Sequence, residues 1–158
     1  MDILLANPTR KVVEAAGNIG EIVKSKIFGS STFANPWYVN TVSNTVIGDS
    51  QISLKCSGGR PVLLWIGGFN AKFSQEAIST AINGSMRLIR NASVIANPSL
   101  QISLGTGTFF QQPSSFWFID ENPPAGTNNY YLDANRTGSG NASDRYRFDN
   151  CVLYAMEL

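Results

Sequence analysis

Histidine is missing from the chain altogether. That removes the side chain most used as general base, pH switch and metal ligand, and it makes a Ser–His nucleophile pair impossible. Lysine can replace histidine as a base, but beyond the first thirty residues only Lys55 and Lys72 occur. Charge is scarce too: Asp, Glu, Lys and Arg make 15% of the chain, against roughly 25% in an ordinary soluble protein. The basic clusters are no larger than pairs such as Arg87/Arg90 and Arg145/Arg147, too thin for a phosphate-binding face, so nucleic acid is not an expected partner. The two cysteines, Cys56 and Cys151, lack metal-ligand spacing and sit in strand-like runs, which predicts buried free thiols rather than a disulfide. No stretch approaches the ~20 apolar residues of a membrane helix. The start MDILLANPTRK places its short apolar run before its charge, the reverse of a secretory signal.

The acids present do not gather into a site. Asp144 and Asp149 are interleaved with Arg145 and Arg147, unlike the alternating acids of a calcium loop. Gly105-Thr106-Gly107 has no helix after it to complete a phosphate cradle. Asp120 and Glu121, just before Pro123-Pro124, read as rim charges at a corner. No enzyme activity, cofactor or metal is expected. With a net charge of +1 and a surface left to Asn, Ser, Thr, Gln and Gly, a free monomer has little mutual repulsion, and the composition fits a subunit that stays assembled.

Two zones follow one another. In residues 1–36, Asn7-Pro8 is a helix-start signal. Val12, Ala16, Ile19, Val23 and Ile27 then recur at three- and four-residue steps. Gly17 and Gly20 weaken that helix by ~1 kcal/mol each, so an extended arm is an equal contender, and either form needs a surface to dock on. Gly29–Thr32 and Asn35-Pro36 read as a linker.

From residue 37 the period changes to two. Gln51–Cys56 alternates, with Ile52, Leu54 and Cys56 on one face, and Val62–Ile66 is apolar throughout, the pattern of a strand covered on both sides. Further short strands are predicted near Ser85–Arg90, Thr108–Phe110, Ser115–Ile119, Asn129–Ala134 and Phe148–Leu158. Turn dipeptides separate them and no crossover helix intervenes, which describes an antiparallel sandwich. Aromatic residues make 11% of the chain, more than one core can hold, and adjacent pairs such as Tyr130-Tyr131 must point to opposite faces. The excess goes either to a subunit interface or to a platform for carbohydrate, with the interface preferred.

Pro-Pro-Ala-Gly-Thr at 123–127, the aromatic strand Tyr130–Ala134, a Gly/Ser/Asn loop and a final Leu153–Leu158 strand follow in that order, with Pro61-Val62-Leu63-Leu64 ahead of them. In this order the chain resembles the small trimeric jelly-roll domains, of tumour-necrosis-factor type, found in capsid decoration proteins and fibres of tailed phages. The resemblance covers about residues 37–158. It implies an all-β antiparallel jelly-roll sandwich with a short N-terminal arm or helix, assembled as a homotrimer on a virion made in the host cytoplasm. It assigns the trimer contacts to Trp65, Phe110, Phe116, Phe118, Tyr130, Tyr131 and Tyr154. Residues 1–36, through Arg10, Val12, Ile19, Val23 and Ile27, become an arm gripping the major capsid protein or another virion component. Shaft repeats are lacking, which favours a cement protein or short head/neck fibre over a long one. A host-glycan-binding adhesin module is the alternative.

Overall fold

The structure is a computed structural model describing residues 20–26, 37–39, 43–68, 72–77, 83–97, 108–113, 115–137 and 145–158. Every regular element among them is a strand. The strands fall into eight runs along the chain. The first holds β1 (Ile22–Lys24) and β2 (Trp37–Val39), the second β3 (Thr45–Val46) and β4 (Ile52–Cys56), the third β5 (Val62–Gly67) and β6 (Lys72–Ala77). The fourth and fifth are β7 (Asn83–Arg90) and β8 (Ser93–Ala96). The sixth holds β9 (Thr108–Pro113) and β10 (Phe116–Asp120), the seventh is β11 (Gly126–Thr137), and the last holds β12 (Arg145–Asp149) and β13 (Val152–Glu157).

The ladders β1-β13-β5-β10 and β2-β12-β6-β9 use the same runs in the same order, and each continues the other. Val152 faces Gly67 where β13 begins, and Asp149 faces Lys72 where β12 ends. They are two halves of one bent sheet. The break falls at Gly68 (φ 143°) and Asn150 (φ 52°), backbone conformations that favour glycine and asparagine. Pro113 marks the break on the sixth run. The second sheet runs β3-β11-β7-β8, with β4 continuing β3 along the same edge of β11. Counted by runs, the sheets are ordered 1-8-3-6 and 2-7-4-5, the two interlocked Greek keys of a jelly roll. The expected all-β antiparallel jelly roll is therefore the observed fold.

Alternation builds the core as the sequence predicts. Ile52, Leu54 and Cys56 are buried on β4 while Ser53 and Lys55 face out. Val62, Leu64 and Ile66 of β5 meet Met86 and Leu88 of β7, Tyr130, Leu132 and Ala134 of β11, and Leu153 and Ala155 of β13 in one cluster. Cys56 and Cys151 are buried free thiols.

Two expectations need correction. The Val62–Ile66 strand is covered on one side only, since Trp65 keeps 43% of its surface exposed and Leu63 is half-buried. Two layers supply one core, so the second apolar face of that strand is left over. A strand between Ser85–Arg90 and residue 100 was not expected, yet β8 forms there. Asn91 (φ 47°) and Ala92 (φ 69°) make a tight two-residue turn of the type that matches strand twist.

The N-terminal segment is extended where it is described. Gly20 donates its N–H to Glu157 O, Ile22–Lys24 pair with Tyr154–Met156, and Ser25 N–H bonds Leu153 O at 2.8 Å. Val23 packs against the core. At residues 22–24 the helical face of the sequence pattern is thus a strand, because an open edge of β13 offers hydrogen bonds that a Gly-broken helix lacks. Arg10, Val12, Ile19 and Ile27 lie outside the described residues.

Candidate functional site

The bent sheet turns one face to the core and one outward, and the pairing register fixes what the outward face carries. Tyr154 is opposite Trp65, and Trp65 is opposite Trp117. Lys24 completes the same row on β1. Residues directly opposite on neighbouring strands share a face and touch, so three aromatic side chains lie side by side across β13, β5 and β10. The Trp65 and Tyr154 rings stack with centroids 4.8 Å apart and planes 20° from parallel. Trp117 is 68% exposed. The neighbouring row is Ile22, Met156, Leu63 and Ile119, with Ile22 63% exposed. This is a contiguous apolar patch on an open sheet face.

Local sequence explains how Trp65 lies there. A Cβ placed on Gly67 would come within 2.9 Å of the indole ring. The glycine leaves the room that lets the ring fold along the strand toward it. The indole N–H is satisfied at the edge by Ser115 Oγ at 3.3 Å, which leaves the ring faces as apolar contact surface.

Seven aromatic residues were expected at a subunit interface, and the structure distributes them. Trp65 and Tyr154 are brought together on this face. Phe116 and Phe118 point the other way and pack against the core; the outward member of that triplet is Trp117, which the sequence reading passed over. Strict alternation carried the needed signal, but nothing in an all-aromatic triplet shows which parity faces the core. Tyr130 has no exposed surface and is a core residue, so it has nothing to offer another chain. Tyr131 lies on the outer face of the other sheet, opposite Ile89. Phe110 is placed by its backbone alone, on β9 opposite Gln75.

Asp120 is a further correction. It is buried, not a rim charge, with only 6% of its surface exposed. Arg90 Nη1 donates to both its carboxylate oxygens at 2.7 Å, and Tyr130 Oη donates to Oδ2 at 2.9 Å. The cluster ties β10 of one sheet to β7 and β11 of the other at the corner Glu121–Ala125. Burial first, then the hydrogen bond to Asp120, hold the Tyr130 phenol well above its ordinary pKa. Asn128, also fully buried, braces the same corner by donating to Pro124 O at 2.8 Å and accepting from Asn91 Nδ2 at 3.0 Å. These groups are mutually satisfied and hold the fold.

The second sheet's outer face differs in chemistry. Arg87 Nε donates to Asp133 Oδ1 at 2.8 Å and Nη2 to Oδ2, a fork-on-fork pair. The hydrogen bond that Arg87 donates to Asp133 raises the Arg87 pKa further. Among the described residues no group of His, Cys, Asp or Glu could hold a metal ion.

No family model and no curated protein matches the chain. Solved structures similar in fold include dimeric latent PorU from Porphyromonas gingivalis, at 12% identity and a TM-score of 0.48, over 89% of this chain and 13% of that one. The T13 IBDV viral particle matches at 7% identity and a TM-score of 0.48, over 87% of this chain and 31% of that one. The CBM36-1 domain of a multidomain xylanase from the hindgut metagenome of Trinervitermes trinervoides matches at 9% identity and a TM-score of 0.39, over 87% of this chain and 98% of the domain. The chain spans less than a third of the first two proteins. At these identities the likeness is one of fold.

Proposed function

We propose that the chain is a virion structural subunit, a capsid decoration protein or short head/neck fibre, working as a homotrimer joined through the outer face of its bent sheet. The observation that carries this reading is the row Tyr154–Trp65–Trp117 flanked by Ile22, Met156, Leu63 and Ile119, an apolar face with Lys24 as its one charge. Water-exposed Trp and Ile side chains in a contiguous patch are the surface of an interface core, where aromatic residues are enriched and charges depleted. The virion setting rests on the order of motifs from Pro61-Val62-Leu63-Leu64 to Leu153–Leu158. The N-terminal residues grip the particle, and the chain has no catalytic role.

Light scattering at micromolar concentration tests the assembly. The expected mass is three times 17.1 kDa, and Trp117→Glu is expected to lower it to that of one chain while leaving the circular dichroism of the sandwich intact. A wild-type monomer refutes the reading. Removing residues 1–19, which leaves β1 in place, is expected to abolish co-purification with particles and keep the trimer.

A further inference from the structure

The β1-β13-β5-β10 half of the bent sheet has two open edges, and the pairing register shows what each presents. Leu158 donates its N–H to Pro61 O, and Ser25 donates its N–H to Leu153 O. Main-chain hydrogen bonds alternate sides along an antiparallel strand. Val62, Leu64 and Ile66 of β5 therefore bond β10 through Asp120, Phe118 and Phe116, their partners in the register. Trp117 and Ile119 turn their N–H and C=O groups to the free side of β10. By the same alternation Val23 bonds Ala155, while Ile22 and Lys24 turn theirs to the free side of β1. Among the described residues neither free side has a partner strand.

The two edges match one another. Each neighbour in the order β1-β13-β5-β10 is antiparallel to the last, so β10 and β1 run in opposite directions. Placing β10 of one copy beside β1 of the next continues the antiparallel ladder, with Trp117 opposite Lys24 and Ile119 opposite Ile22. This register engages all four free main-chain positions and keeps their side chains on the outward apolar face. Trp117 and Ile22 are the two most exposed large hydrophobic side chains among the described residues, at 68% and 63%. Each stands on an edge strand rather than in the middle of the sheet. Lys24, the one charge on this face, comes within reach of the Trp117 ring, an arrangement that suits a cation and an indole.

We infer that copies of the chain join head to tail, main chain to main chain, by adding β1 of one to β10 of the next. The inference rests on the homotrimer proposed above and specifies its joint. A patch that meets itself cannot close a ring of three, because a threefold contact joins two different surfaces. The two edges of one sheet are such a pair. Both strands are free of proline and their pairings run in unbroken register. The second sheet is better guarded against added strands. Its β8 edge pairs with a register shift at Leu88/Ile89, and its β3–β4 edge is interrupted between Val46 and Ile52, where Asp49 has φ 62°.

Amide hydrogen exchange in the assembled full chain reads the joint directly. The amides of Ile22, Lys24, Trp117 and Ile119 are expected to exchange slowly, as hydrogen-bonded strand amides do. Rapid exchange at these four in a light-scattering trimer overturns the inference and leaves the trimer standing. Ile22→Glu and Trp117→Glu, both at exposed side chains, are each expected to give the mass of one chain with the circular dichroism of the sandwich intact. Their equimolar mixture, read up to millimolar total chain, is expected to recover twice 17.1 kDa, because the intact β10 of the first meets the intact β1 of the second. A mixture that stays monomeric overturns the head-to-tail joint. So does a trimer that survives Ile22→Glu, which confines the contact to sheet faces. A wild-type monomer refutes the homotrimer and the joint with it.

Discussion

Replacing Asp120 by Asn tests whether the corner is held by a buried charge cluster. The change keeps size and hydrogen-bonding shape but removes the negative charge facing Arg90 Nη1 at 2.7 Å. Breaking a fully buried ion pair costs about 3–5 kcal/mol, because the remaining charge stays desolvated. Here the figure must be reduced. The Asp120 side chain is 8% exposed but that of Arg90 is 22% exposed, so the guanidinium recovers some water when its partner is neutral. Asn122 O also remains within 3.3 Å of Nη1. Tyr130 Oη keeps an acceptor in the new amide. The expected loss is about 2–3 kcal/mol, which lowers Tm by roughly 4–12 °C for a chain of this size. Urea unfolding at one fixed protomer concentration measures it, since association shifts apparent stability by mass action. The double variant Asp120→Asn with Arg90→Met removes the stranded charge as well, and is expected to be less destabilised than the sum of the two single changes. A loss below about 0.5 kcal/mol, the range of ordinary surface substitutions, refutes the cluster as a structural tie.

Three further outcomes follow from the same geometry. Gly58 has φ +86° and a Cβ there would sit 2.9 Å from Ala125 Cβ, whereas Gly59 has φ +71° and open space; Gly58→Ala is expected to destabilise by clearly more than the about 1–2 kcal/mol of the left-handed backbone alone, and Gly59→Ala by no more than that, both read by urea unfolding. Gly67→Ala pushes the Trp65 ring off its seat, so it is expected to weaken self-association in sedimentation or light scattering more than it lowers chain stability. Burial raises the pKa of the Cys56 thiol, and burial with the Asp120 hydrogen bond raises that of the Tyr130 phenol. The folded chain therefore keeps protons that the unfolded chain releases, so stability is complete below the ordinary thiol and phenol pKa values and falls as pH rises through them, by up to about 1.4 kcal/mol per pH unit for each group. Tyr130→Phe is expected to remove the phenol's share of that alkaline loss, and an unchanged slope above pH ~10 refutes it.

How far the sequence reaches is clearest at particular strands. Gln51–Cys56 alternates without ambiguity, and its inward residues are those the pattern names. The corner at Pro123–Gly126 was legible because Pro and Gly allow few alternatives there. The parity of Phe116-Trp117-Phe118 was not legible, since each residue suits either face and the choice is made by register, with Phe116 beside Ile66 and Trp117 beside Trp65. Asp120 misled for a related reason. An acid next to prolines in a corner looks solvated unless its cation is known, and Arg90 lies thirty residues away on the other sheet. The N-terminal pattern left helix and extended arm open, because helical steps of three and four can also place single residues such as Val23 on a strand's inner face.

The apolar run Val62–Ile66 carries the larger lesson about assembly. A strand apolar on both faces is at home between two layers, yet the jelly roll supplies β5 with one layer, beneath Val62, Leu64 and Ile66. In the proposed homotrimer the missing layer comes from a copy of the same chain. Trp117, Trp65 and Tyr154 form a row that crosses three strands, and a copy rotated about an axis near that row meets aromatic surface with aromatic surface. A closed ring built this way turns the bent sheet of every copy inward. The other sheet then faces out, with Ser53, Lys55, Val46 and Val94 exposed to solvent. Low net charge is tolerable in such an object, because the surface most prone to aggregate is already covered by self-association. In the proposed assembly one outer face is covered by self-contact, and the other is the face left to solvent.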